Sequence, residues 1–108
     1  MKGDKLGEFE EFALLALYAL KDSAYGAAIQ EHMEKHTGRT VTIGAVYAAL
    51  VRLEEKGYVR SVLGEATPVR GGKRKRFYQP SPAGIRALQQ LRRVREGMWH
   101  AIESRGRA

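Results

Sequence analysis

The sequence predicts a mainly α-helical chain with one small β-hairpin. Three observations predict it: helix-periodic segments fill residues 8–56, two short β-rich segments flank a glycine-containing linker, and an amphipathic segment follows Ser81-Pro82. At 108 residues the chain has the length of one domain and can bury a core without staples.

Glu8 to Lys21 reads as the first helix. Glu8, Glu10 and Glu11 occupy its first turn, where carboxylates favour the positive end of the helix dipole. Phe9, Phe12, Leu15, Ala16 and Ala19 recur at three- and four-residue steps, with Leu14, Leu17 and Leu20 beside them, which predicts burial on more than one side. Asp22 and Ser23 supply a break. A second helix is expected from Ala24 to His36, burying Tyr25, Ala28, Ile29 and Met33 and stopped by Gly38.

Thr42 is placed to cap a third helix, Ile43 to Lys56, by accepting a backbone N–H bond. Ile43, Val46, Tyr47, Leu50 and Leu53 form an apolar stripe. The opposite face offers Gly44, Ala45, Ala48, Ala49, Arg52 and Lys56, and Gly57 ends the helix. Tyr58 to Leu63 and Arg76 to Gln79 are candidate strands, joined by a linker with Gly64, Pro68, Gly71 and Gly72. Ser81 then caps a last helix with Pro82 in its first position, where a missing N–H costs nothing. Ile85, Leu88, Leu91, Val94, Met98 and Ile102 give this helix one apolar stripe.

Nineteen Lys and Arg against twelve Asp and Glu leave a net charge of +7. The excess is uneven. Residues 1–34 hold three basic and seven acidic side chains, whereas the remainder holds sixteen and five. A basic surface concentrated in part of a chain is an electrostatic footprint for an anionic partner. Cysteine is absent, which removes disulfides and thiolate chemistry. The longest apolar run, Phe12 to Leu20, falls far short of the roughly 18–20 residues that span a bilayer. A cytoplasmic protein without a membrane segment is expected.

Three helices followed by a hairpin with a basic tip is the layout of a winged helix-turn-helix. A helix entering a major groove about 12 Å wide does best with small leading side chains, which Gly44, Ala45, Ala48 and Ala49 supply, with Arg52 beyond them. The segment VRGGKRKRFY places Arg70, Lys73, Arg74, Lys75 and Arg76 on the wing, where cations neutralise backbone phosphates. A Walker A loop is excluded, because Arg74 follows Gly72-Lys73 where Ser or Thr must bind magnesium. Tyr25 and Tyr47 are either core side chains or phosphate contacts, Tyr25 lying where a helix N-terminus receives anions.

At these residues the sequence resembles the PadR family (phenolic acid decarboxylase regulator-like). The resemblance runs through Leu6-Gly7-Glu8, Tyr25-Gly26 with Ile29, Thr42-Ile43-Gly44-Ala45-Val46-Tyr47, Arg52-Leu53-Glu54, Lys56-Gly57, Tyr78 and Ser81-Pro82-Ala83-Gly84. Two positions depart from the family pattern: Ala48 stands where proline often follows the tyrosine, and Pro80-Ser81 replaces Leu-Thr. The resemblance implies a short-type homodimeric transcriptional regulator, usually a repressor, that binds palindromic double-stranded DNA. It divides the chain into a winged helix domain, 1–80, and a dimerisation helix and tail, 81–108. It also implies that Leu91, Val94, Met98, Trp99 and Ile102 form the dimer interface, or line a pocket there for a small apolar or aromatic effector.

Alternatives are a non-specific architectural or RNA-binding protein, and a small-molecule or protein-interaction module whose basic surface meets an acidic partner. No cofactor or metal is expected. His32 and His36 have the i, i+4 spacing of two metal ligands. However, Glu34 is one position out of place for a zincin motif, and only His100 of a dimer offers a third imidazole. No nucleophile or carboxylate pair supports an enzyme.

Overall fold

The structure, a computed structural model, describes residues 5–64 and 74–106. Its elements run α1 (Glu8–Leu20), a 3-10 turn (Lys21–Ser23), α2 (Gly26–Thr37), α3 (Ile43–Glu55), β1 (Val59–Leu63), β2 (Arg76–Pro80) and α4 (Pro82–Gly106). This is the predicted mainly α fold with one antiparallel hairpin. Arg70, Lys73, Pro68, Gly71 and Gly72 lie outside the described residues.

Local chemistry explains where the helices stop and start. Gly38 and Gly57 end α2 and α3 with φ of +69° and +77°, a left-handed region in which Cβ is penalised. Thr42 Oγ1 accepts the Ala45 N–H at 3.1 Å and caps α3 as expected. The α2–α3 connection is held by two further bonds: Gln30 Nε2 donates to the Val41 carbonyl at 2.7 Å, and the Val41 N–H donates to Glu34 Oε2 at 2.9 Å.

Helices α1, α2 and α3 close around Leu14, Leu17, Ile29, Met33, Val46 and Leu50, each at most 2% exposed. The hairpin joins this core through Val59 and Tyr78, in a register that pairs Val59 with Pro80 and Leu63 with Arg76. A further edge contact has no local sequence signal. The Tyr78 N–H donates to the Ala24 carbonyl at 2.8 Å, and Tyr25 forms a bridge with Phe77. Extension of Ala24 and Tyr25 along β2 is why α2 begins at Gly26 and not at Ala24.

The first turn of α4 is locked to the hairpin. Ser81 Oγ accepts the Gly84 N–H at 3.1 Å and donates to the Gly57 carbonyl at 2.6 Å. Gly84 lies so close to the Tyr58 carbonyl oxygen that a Cβ there would collide with backbone. Leu88 still touches the core, whereas Val94, Met98, Trp99 and Ile102 are exposed. With extents of 65 × 31 × 21 Å, the molecule is drawn out by a helix whose second half leaves the body.

One further expectation needs correction. The apolar stripe of α3 is rotated: Ile43 and Tyr47 are 40% and 46% exposed, and Ala49 takes their place inside, with Val46, Leu50 and Leu53. In the first turn of α1, Glu10 is only 4% exposed. Among the described residues no helix is long and apolar enough to cross a membrane.

Candidate nucleic-acid interface

The outer face of α3 is built by its cap and its rotation. Thr42, Gly44 and Ala48 are exposed and Ala45 is half-buried, which leaves these small residues available at the surface. Ala49 is fully buried against the core and does not face outward, so its predicted place in a groove-facing set is withdrawn. Val51, which periodicity did not mark, is exposed beside them. In a helix so uniformly apolar, spacing alone does not separate an outward valine from an inward alanine.

Arg52 is drawn away from that face. Its Nε donates to Glu10 Oε2 at 3.0 Å, while Lys56 Nζ donates to Glu10 Oε1 at 2.7 Å. The Gly7 N–H adds a third bond to Glu10 at 2.8 Å. Burial pushes the Glu10 carboxyl up. The hydrogen bonds from Lys56, Gly7 and Arg52, with the Lys56 charge, outweigh burial and hold it below the ordinary carboxylate value. Glu10 therefore stays ionised and ties α3 to α1. The neighbouring carboxylates do related work: Glu8 pairs with Arg39 at 3.3 Å and Glu11 with Arg95 of α4 at 2.8 Å.

The wing cations have a different environment. Arg74, Lys75 and Arg76 are exposed, and none pairs with a carboxylate among the described residues. Arg74 Nε donates to the Gly64 carbonyl at 2.7 Å, and Arg76 Nη1 to Ser61 Oγ at 3.0 Å, so neutral groups aim them without cancelling their charge. Lys75 Nζ lies 4.1 Å from the centre of the Tyr25 ring, a cation–π contact. That ring in turn meets Phe77 edge-on at 5.8 Å.

Tyr25 thus carries the foot of the wing to the start of α2. Gly26 follows it, and a Cβ at Gly26 would strike the Tyr47 hydroxyl. Wing, α2 N-terminus and α3 meet here: Lys75 over Tyr25, and Tyr47 against Gly26. The Tyr25 side chain does not cap α2, so it offers no acceptor to the first N–H groups of that helix.

Elsewhere on the chain, α4 exposes an apolar row in which Val94, Met98, Trp99 and Ile102 are 47–72% exposed and Leu91 is half-buried. The His32 and His36 rings stand 4.4 Å apart at the edge of a groove of about 520 Å³ lined also by Phe12, Leu15 and Met33. Burial, with the nearby positive charges of His36 and Lys35, holds His32 below the ordinary imidazole value. Among the described residues no third potential metal ligand joins the two histidines.

The profile of the transcriptional regulator PadR-like family matches residues 14–90, most of the chain. The chain belongs to this family. Solved structures agree with the assignment. A transcriptional regulator from Clostridium thermocellum shares 25% identity over 89% of this chain and 87% of its own, with a TM-score of 0.69. A PadR-like transcription factor from Bacteroides fragilis reaches a TM-score of 0.72 at 22% identity, over 88% and 86% of the two chains. A PadR family transcription regulator from Clostridium difficile gives 0.66 at 23%, over 91% and 93%. At these lower identities the last two speak for the fold. No curated protein matches the sequence. This PadR-like chain is therefore a transcriptional regulator with a DNA-binding winged helix fold, and its family is not one of enzymes.

Proposed function

We propose that this PadR-like protein is a sequence-specific repressor that acts as a homodimer on a palindromic operator in double-stranded DNA. The observation that carries the reading is the meeting of three elements at one surface. Lys75 covers Tyr25 at the start of α2, Tyr47 reaches Gly26, and the exposed Gly44 and Ala48 of α3 lie beyond. In this reading α3 enters the major groove, flanked by Thr42, Ala45, Tyr25 and Tyr47, while Lys73, Arg74, Lys75 and Arg76 hold the adjacent backbone. Arg52 serves the α1–α3 tie through its Nε.

Dimerisation is supported by the row Leu91, Val94, Met98, Trp99 and Ile102. A stripe this exposed on a terminal helix finds its natural cover in the same stripe of a second copy, an isologous contact. Two-fold symmetry then sets half-sites about one helical turn, ~34–36 Å, apart. In this reading Trp99 fills the interface.

Alanine at Arg74, Lys75 and Arg76 together is expected to weaken binding to every duplex and to flatten its salt dependence. The slope of log affinity against log salt should fall by ~0.9 for each phosphate that a protomer no longer neutralises. Titration of labelled duplex at several salt concentrations measures it. An unchanged slope would remove the wing from the interface.

A further inference from the structure

The charged and amide side chains that read base edges with paired hydrogen bonds are missing from the exposed face of α3 between Ile43 and Val51. Ile43, Tyr47 and Val51 are 40%, 46% and 54% exposed and recur every fourth residue, so they form one row. Gly44 and Ala48 form the adjoining row. Hydrogen-bonded readout uses Arg or Lys on guanine, Asn or Gln on adenine, and Asp or Glu on cytosine. From Ile43 to Val51 there is none of these. The next cations, Arg52 and Lys56, are bound to Glu10, and Glu54 accepts from Ser61 Oγ at 3.1 Å.

An apolar row has one natural counterpart on a major-groove floor, the C5-methyl group of thymine. Apolar side chains leave the polar edge atoms of either pair without a partner, N7, O6 and N4 of G·C as much as N7, N6 and O4 of A·T, so the methyl alone distinguishes an A·T pair for them. The flanking charge argues for a nucleic acid over an apolar protein partner, because the cations of the neighbouring wing carry no ion pair among the described residues. An RNA helix is disfavoured on two counts: its major groove is closed to side chains, and uracil has no methyl.

We propose that this chain selects its operator through thymine methyl groups, with Ile43, Ala48 and Val51 of α3 packed against A·T pairs in each half-site. This rests on the DNA-binding reading above. Discrimination then comes from burying methyls, without bidentate hydrogen bonds.

The test separates the two readings. Duplexes are selected from a random-sequence pool with the full-length protein, and the winner is resynthesised with deoxyuridine replacing thymidine in its half-sites. This exchange removes only the methyls. Each buried methyl is worth about fourfold in affinity, so one per half-site predicts roughly 15-fold weaker binding with the salt slope unchanged. Val51→Ala is expected to narrow the ratio between the two duplexes while leaving binding to the deoxyuridine duplex little changed. Equal affinity for the thymidine and deoxyuridine duplexes would overturn the methyl readout and leave sequence-specific binding standing. A pool that yields no preferred sequence would overturn the sequence-specific reading and this inference with it.

Discussion

Ala48→Glu is expected to abolish operator binding while leaving the protein folded. Ala48 is exposed, and glutamate is nearly as good a helix former as alanine, so unfolding should shift by about 0.5 kcal/mol or less. In a groove, however, the new carboxylate faces phosphates and base acceptors with nothing to neutralise it. Like-charge juxtaposition at an interface costs several kcal/mol, so a loss of about 100-fold or more is expected. Thermal unfolding and duplex titration on the same preparation separate the two effects. The same change at the next residue is an internal control: Ala49 is fully buried, and glutamate there should unfold the chain. Binding within a few-fold of the parent by folded Ala48→Glu would take α3 out of the groove.

Glu10→Gln is expected to be the most damaging conservative change to the fold. It removes the charge that Lys56 and Arg52 share and leaves the Lys56 side chain, only 15% exposed, without its anion. Hydrogen bonds to charged groups contribute about 1.5–3 kcal/mol. A loss of ~2–3 kcal/mol corresponds to roughly 10–20 °C in Tm for a domain of this size. The pH dependence follows from the lowered carboxyl. Its contribution is fully present above the ordinary value of 4.5 and is lost as pH falls through the lower folded value. The parent should lose stability below pH 4.5 more steeply than Glu10→Gln. Denaturant titrations from pH 7 to pH 3 measure this, and parallel profiles would deny Glu10 its role. A consequence for DNA binding follows too: loosening the tie between α1 and α3 should disturb the presentation of Ala48 as well as global stability.

Much of the fold was legible because its punctuation is local. Gly38 and Gly57 mark helix ends through their own dihedrals, Thr42 and Ser81 cap through bonds three residues away, and the hairpin follows from β-rich segments around a turn. The rotation of α3 was not legible. Isoleucine and tyrosine outweigh alanine in any apolar stripe, yet it is Ala49 that fits the crowded interior while Ile43 and Tyr47 stay half in solvent.

Long-range features left no trace in spacing. Glu10 resembles its neighbours Glu8 and Glu11, and only Arg52 and Lys56, more than forty residues on, make it a buried ion. Likewise the Tyr25–Phe77 bridge, which sets the wing against α2, joins segments some fifty residues apart. The cations of the wing were visible as a run, but their freedom from carboxylates among the described residues is a property of the folded surface.

A dimer that reads a symmetric operator is tested most directly by selection of fragmented genomic DNA on the purified protein. At about 150 mM salt, backbone-only binding is weakened by screening and counterion competition. Recovery of a few fragments sharing an inverted repeat, with half-sites about one helical turn apart, is the predicted result. Even recovery across all fragments, with no shared repeat, would contradict it.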